Sequence, residues 1–234
     1  GNHGAAVAYA AQKLGIKSHI FVPELSGKTK IELIKNTGSS LTIVPGTYAE
    51  ALEAANKHQK ETGAVSVHAY DSKATIIGQG TLFCEWENQG LDADTIMIAV
   101  GGGGLISGAI SWFQNRKKIV AVEPENCPTL NVALKKGEPS SVSVSGVAAN
   151  ALGAKLIGNI CFSLSTENQI ESLVISDDEI KRAQSLLWEN HRMLVEPAGA
   201  AALAAIISGK YKPKTDEKLA VLICGANPNI IPEF

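Results

Sequence analysis

Thr95-Ile-Met-Ile-Ala-Val-Gly-Gly-Gly-Gly-Leu105 is the stretch whose reading decides the fold. Its apolar residues run without alternation, as in a parallel strand covered on both faces. Four glycines then stop the run. Glycine loses the most backbone freedom on folding and a turn needs only one or two, so Gly101-Gly-Gly-Gly104 asks for a reason. A helical pattern, Leu105–Phe113, follows directly. Four residues without side chains at a helix N-terminus let backbone N–H groups converge on an anion, and the helix dipole adds attraction. A phosphate suits such a place; a tight strand-to-helix turn is the alternative. The loop lacks the Gly-Lys-Ser/Thr ending of a Walker motif, and Gly101, Gly103 and Ser107-Gly108 are out of register with Gly-x-Gly-x-x-Gly. Glu123 follows at about 20 residues, which leaves a nicotinamide-dinucleotide site open on spacing alone.

The same grammar extends outward. Ile119–Val122 and Leu219–Ile223 are further continuous apolar strands, with helical patterns at Asp178–His191 and Pro197–Ser208 between them. Pro197 suits a first helical turn, where a missing N–H costs nothing. Upstream, the pattern reads helix Gly4–Leu14, strand Ser18–Val22, and a helix capped by Ser26 that ends near Asn36 with Gly38 as terminator. Strand Leu41–Val44, helix Tyr48–Lys60, a short strand Val65–Val67 and helix Ala74–Asn88 complete that half. Gly137–Ser145 has no helical period and reads as irregular. Alternating strands and helices predict an α/β chain with open parallel sheet in two lobes, 1–70 and 71–234.

Bulk properties exclude several classes. The chain has 234 residues, 45% hydrophobic and 19% charged, with a net charge of -2. That is a folded composition, without the clustered Lys and Arg that nucleic acid or an anionic membrane requires. No apolar run approaches the ~20 residues of a membrane span. Cys84, Cys127, Cys161 and Cys224 are widely spaced, with no Cys-x-x-Cys pair, which points to a reducing, cytoplasmic setting and to no metal finger. The chain opens at Gly1 without a methionine, directly on a candidate functional loop, so a fragment is expected.

That opening loop is Gly1-Asn-His-Gly4. At a helix N-terminus it offers backbone donors, an amide and an imidazole to an anion such as a substrate carboxylate. A plain helix cap by Asn2, with His3 on the surface, is the alternative.

Seven stretches in order carry a resemblance: Gly1-Asn-His-Gly4, His68-Ala-Tyr-Asp71, Ile77-Gly-Gln-Gly-Thr81, Gly101-Gly-Gly-Gly-Leu105, Ala121-Val-Glu-Pro124, Val195-Glu-Pro-Ala-Gly199 and Cys224-Gly-Ala-Asn227. Together they span the chain, and it resembles the pyridoxal-phosphate enzymes of the tryptophan-synthase-β type (fold type II), in the serine/threonine dehydratase and serine racemase branch. The resemblance implies pyridoxal 5'-phosphate as cofactor and a small lobe carrying the substrate-carboxylate loop. It implies that Gly101, Gly102, Gly103, Gly104 and Leu105 cradle the cofactor phosphate. Asn2 would bond the ring hydroxyl, Gly146 would line the ring, and Glu196 would sit close to it. Gly1, Asn2, His3 and Gly4 would hold the substrate carboxylate. Cys224 falls where the family places the residue facing the pyridine nitrogen. A thiol holds a proton there less firmly than an aspartate would, which suits β-elimination of a hydroxyl. A helix-dipole role for Glu196 and a buried, merely apolar Cys224 are the alternatives.

Departures from the family matter as well. Its cofactor-anchoring lysine lies upstream of the Gly-Asn-His-Gly loop, as does the serine that racemases use as a second acid/base. The chain by itself is therefore expected to be inactive, and no catalytic residue is assigned within it. Lys28, Lys30 and Lys73 sit on polar stretches and match no family position. Thr129 stands where cation-binding relatives carry Asp, so no metal is expected. Tyr70 and Ser145 also depart from the commoner residues. The expected activity, for the whole protein, is conversion of L-serine, L-threonine or a relative to a 2-oxo acid and ammonia. An amino-acid racemase or an inert ligand-binding relative is the alternative, with an NAD-dependent oxidoreductase more distant. The expected partner is a small amino acid, in a homodimer.

Overall fold

Two parallel sheets carry the chain. The computed structural model describes residues 1–24, 26–46 and 48–226. They divide into two units, residues 1–67 and 68–226.

The first unit runs α1 (Asn2–Lys13), β1 (His19–Pro23), α2 (Lys28–Lys35), β2 (Ser40–Val44) and α3 (Tyr48–Thr62). β1 pairs with β2 in parallel, from His19 opposite Ser40 to Pro23 opposite Val44. Ala8, Ile20, Val22 and Ile34 form its core, with Ala5, Val7, Ile31 and Leu41 packed against them. Fully burying each of the larger side chains stabilises by roughly 1.5–3 kcal/mol. Gly4 lets α1 approach the sheet, since a β-carbon there would lie 2.8 Å from Ile20 Cγ2. Three expectations fail in this unit. Ser26 does not cap α2, whose N-cap residue is Gly27, without a side-chain cap hydrogen bond. Val65–Val67 forms no strand: Val65 is 90% exposed, and no neighbouring strand pairs with it among the described residues. β-branched residues favour a strand only where a pleated, half-buried surface receives them. Lys30 is not on a polar surface either, because α2 turns it inward and leaves it 1% exposed.

The second unit runs α4 (Lys73–Asn88), β3 (Thr95–Ala99), α5 (Gly104–Phe113), β4 (Lys118–Pro124), α6 (Thr129–Lys136), α7 (Ala149–Leu152), α8 (Asn159–Glu167), β5 (Glu171–Ile175), α9 (Asp177–His191), α10 (Pro197–Ile207) and β6 (Leu219–Val221). The sheet order is β5-β4-β3-β6, all parallel. β3 is buried at every position, as its unbroken apolar run requires. Met97, Val120 and Val122 face a core shared with α9 and α10. Ile96, Ile98 and Ala121 face the opposite core, with Phe83 of α4 and Ile106 of α5. This is the α/β architecture read from the sequence, with helices on both sides of a parallel sheet.

The strand order positions the site. The chain steps from β3 to β4 to β5 in one direction, then returns to lay β6 on the far side of β3. Ligands in open parallel sheets bind outside the carboxyl ends of the strands, where the order reverses. Here that point is flanked by the loop after β3, Gly101–Gly104, and the segment after β6, which begins at Leu222.

Candidate functional site

The glycine loop is crowded on one side. A β-carbon on Gly101 would come 2.9 Å from Leu152 Cα, one on Gly102 2.2 Å from the Tyr70 ring, and one on Gly103 2.3 Å from Cys161 Sγ. Gly104 would meet Tyr70 Cα at 2.9 Å. Gly103 also has φ +94, a conformation side chains rarely adopt. The carbonyls are tied from the protein: Gly101 O accepts from Thr129 Oγ1 at 2.7 Å, and Gly103 O from Ser107 Oγ at 2.6 Å. Gly102 O accepts from Gly158 N at 3.1 Å, and Gly103 O also from Ser107 N at 3.0 Å. The N–H groups are not so engaged. Among the described residues none accepts from the backbone N–H of Gly101 to Ile106, although Gly101, Gly103, Gly104 and Ile106 are buried. Buried donors of this kind are nearly always satisfied, and a run of them at a helix N-terminus is an arrangement chemically suited to an anion.

Neighbouring segments hold the loop. His68 Nδ1 accepts from the N–H groups of Tyr70 (3.2 Å) and Asp71 (2.9 Å), shaping the turn that carries both. Asp71 Oδ1 then accepts from Ile160 N at 3.0 Å and caps α8 across 89 residues of sequence. Glu123, at the end of β4, is fully buried. It accepts from Leu130 N and Asn131 N at 2.7 Å each and from Ser172 Oγ at 2.9 Å, with Thr129 Oγ1 3.3 Å away. Burial outweighs these bonds and pushes its carboxyl up to about 7. Among the described residues no group of three or more His, Cys, Asp or Glu side chains is disposed to hold a metal.

After β6, Gly225 closes on the start of α10. Glu196 N donates to Gly225 O at 3.0 Å, and a β-carbon on Gly225 would come 2.2 Å from Glu196 Oε1. Glu196 is 2% exposed and is the N-cap residue of α10. Cys224 keeps some solvent exposure. Desolvation by the surrounding protein and then the Glu196 carboxylate push its thiol up to about 11, so it is neutral at pH 7. Asn227 lies outside the described residues. Gly146, with φ +88, packs against Asp177 and Asn126 beyond the ends of β4 and β5. Gly101–Leu105, Gly146, Glu196 and Cys224 thus all belong to segments at or beyond the carboxyl edge of one sheet.

In the first unit, Asn2, His3 and Gly4 form the first turn of α1 rather than a loop ahead of it. His3 Nε2 donates to Val67 O at 2.8 Å, so the imidazole is anchored within its own unit.

Sequence reading missed Thr129, Gly158, Ser107 and Asp71 as supports of the glycine loop. Ser107 alone had a local signal, lying four residues after its carbonyl partner on the same helix. The others act from 28 to 89 residues away.

The family described as pyridoxal-phosphate dependent enzyme matches residues 1–225. The chain is 34% identical over 233 residues to L-threonine ammonia-lyase of Thermotoga maritima, covering 98% of this chain and 58% of the relative. It is 32% identical to the biosynthetic L-threonine dehydratase of Haemophilus influenzae, covering 98% of this chain and 45% of that protein. The chain therefore spans about half the length of these two relatives. The structure of maize serine racemase superposes with a TM-score of 0.91 at 30% identity, covering 97% of this chain and 71% of that one. Among the described residues no helix is long and apolar enough to cross a membrane.

Proposed function

The chain belongs to the pyridoxal-phosphate-dependent enzymes, and from that premise we propose that the protein carrying it converts a hydroxy amino acid such as L-serine or L-threonine to a 2-oxo acid and ammonia, the water lost from the β-carbon being regained when ammonia is released. The observation that carries this is the run of unengaged N–H groups from Gly101 to Ile106, on a loop whose carbonyls are tied away from them. A phosphate group fits those donors. When bound, pyridoxal phosphate supplies the electron sink that makes the Cα–H bond of an amino acid acidic.

The chain's own residues take the following parts. Gly101 to Gly104 with Leu105 hold the phosphate, and Tyr70 backs the loop that does so. Cys224 would face the ring nitrogen as a neutral thiol, which holds a proton there less firmly than a carboxylate would, a character suited to β-elimination. Gly146 and Glu196 border the ring. By the family resemblance, Asn2 would bond the ring hydroxyl, and the N–H groups of Gly1–Gly4 at the positive end of α1 would orient the substrate carboxylate. Self-association as a homodimer would cover two exposed apolar side chains of α4, Ile77 at 71% and Leu82 at 36% exposure. A cytoplasmic setting is supported by four cysteines that are all free.

The test uses the full protein with pyridoxal phosphate bound. L-threonine or L-serine should yield equal amounts of 2-oxo acid and ammonia. Appearance of the D-enantiomer alone would favour the racemase reading, to which the maize serine racemase likeness points. Neither product, with the cofactor bound, would sink the proposal.

A further inference from the structure

We propose that Thr129 is a positioning residue for the phosphate loop, its buried hydroxyl turning the Gly101–Gly102 peptide so that the Gly102 N–H faces the ligand. The proposal rests on the reading of Gly101–Gly104 as the phosphate seat. Its physical basis is that a trans peptide unit is planar, with C=O and N–H pointing opposite ways. Whatever holds the carbonyl of one glycine therefore aims the N–H of the next. Three consecutive carbonyls of the loop are held in this way. Gly102 O is tied by Gly158 N at 3.1 Å, which aims the Gly103 N–H. Gly103 O is tied twice by Ser107, through its backbone N at 3.0 Å and its hydroxyl at 2.6 Å, which aims the Gly104 N–H. Gly101 O is tied by the Thr129 hydroxyl at 2.7 Å.

The three ties differ in what can replace them. Backbone donors supply one and support another, so side-chain changes at Ser107 leave its peptide aimed. The tie on Gly101 is a single side-chain hydroxyl. Thr129 is fully buried, and its oxygen also lies 3.3 Å from Glu123 Oε1. Glu123 is in turn fixed by Leu130 N, Asn131 N and Ser172 Oγ at 2.7 to 2.9 Å. The hydroxyl has one proton, and the shorter contact assigns it to Gly101 O. The loop's first peptide is thereby held by α6 and β4 through one threonine.

The experiment compares pyridoxal phosphate with pyridoxal, which lacks the phosphate, as ligands of the full protein by equilibrium dialysis. Thr129→Val keeps the side-chain shape and removes the hydroxyl. It should weaken pyridoxal phosphate binding roughly tenfold, as expected for loss of one buried hydrogen bond, and leave pyridoxal binding unchanged. Thr129→Ser should bind both ligands as the wild type does, and Ser107→Ala should lose less than Thr129→Val. Thr129→Ala serves as a second hydroxyl-free variant if the valine protein does not fold. Unchanged pyridoxal phosphate affinity in the hydroxyl-free variant would overturn the proposal. So would an equal loss for both ligands, which marks general damage to packing. Failure of the wild-type protein to bind pyridoxal phosphate would strike the underlying phosphate-seat reading and the proposal with it.

Discussion

The Tyr70 ring fills the space that a β-carbon on Gly102 would need, with its Cδ1 only 2.2 Å from that position. Gly102 is therefore a glycine because an aromatic ring lies against it. The loop meets protein on its carbonyl side and presents its N–H groups on the other. Tyr70 is held in turn by the His68 imidazole, which accepts from its backbone N–H and stacks edge-on against its ring at 4.9 Å.

Gly102→Ala should accordingly destabilise the second unit by about 1–3 kcal/mol, the usual cost of overpacking. It should also abolish saturable pyridoxal phosphate binding. Combining it with Tyr70→Ala removes the clash, so the double variant should be more stable than the two single losses added together. Urea unfolding of the four proteins checks this. Strict additivity would mean that ring and glycine do not oppose each other.

Much of this arrangement was legible in the sequence, for a particular reason. The apolar run Thr95–Val100 and the glycines after it are contiguous, so strand, loop and helix N-terminus could be read together, and the ordered motifs from Gly1 to Cys224 agreed with them. What stayed hidden depends on contacts between distant segments. Thr129 reads only as a replacement for a cation-binding Asp until the fold sets it 2.7 Å from Gly101 O. β5 was missed because only Ile175 is buried, Glu171 is exposed and the three residues between are half covered, which blurs both strand patterns. Lys30 looked like a surface lysine because the polar residues around it disguise the inward side of α2.

Cys224 offers a chemical test of its surroundings. A thiol held at about 11 is ionised to about one part in a thousand at pH 8, and only the thiolate alkylates. Iodoacetamide should therefore modify Cys224 on the order of a hundred times more slowly than a small-molecule thiol, despite its exposure. Glu196→Gln, which removes the negative neighbour, should speed the reaction. Peptide mass spectrometry over time measures both rates, and labelling at the ordinary rate would refute the perturbed thiol.

Glu123 predicts how stability varies with pH. Its folded value of about 7 stands above its ordinary 4.5, so the native state binds this proton more tightly than the unfolded state does. The resulting stabilisation is present in full below pH 4.5 and is lost as pH rises through 7. The gap corresponds to roughly 3 kcal/mol. Glu123→Gln cannot titrate, so the stability difference between wild type and variant should change by about that amount between pH 4 and 8. Denaturant titrations at several pH values give the two curves, and parallel curves would contradict the assignment.

Asp71 links the turn beside the glycine loop to a helix that otherwise lacks a side-chain cap. The N-cap residue of α8 is Gly158, which has none to offer, and Asp71 supplies the acceptor from another segment. Oδ1 takes the Ile160 N–H at 3.0 Å and Oδ2 the Asn159 amide at 3.2 Å. Its negative charge also lies at the positive end of the helix dipole. Asp71→Ala should cost about 1–2 kcal/mol, the range for a lost N-cap. Asp71→Asn keeps an oxygen but not the charge, and should cost less. Because the capped turn includes Gly158, whose N–H ties Gly102 O, Asp71→Ala should also weaken pyridoxal phosphate binding a few-fold. Asp71→Asn should leave that binding nearly intact. Stability and affinity measured on both variants separate the two effects: a loss of stability with unaltered affinity would show that Gly158 keeps its place without Asp71.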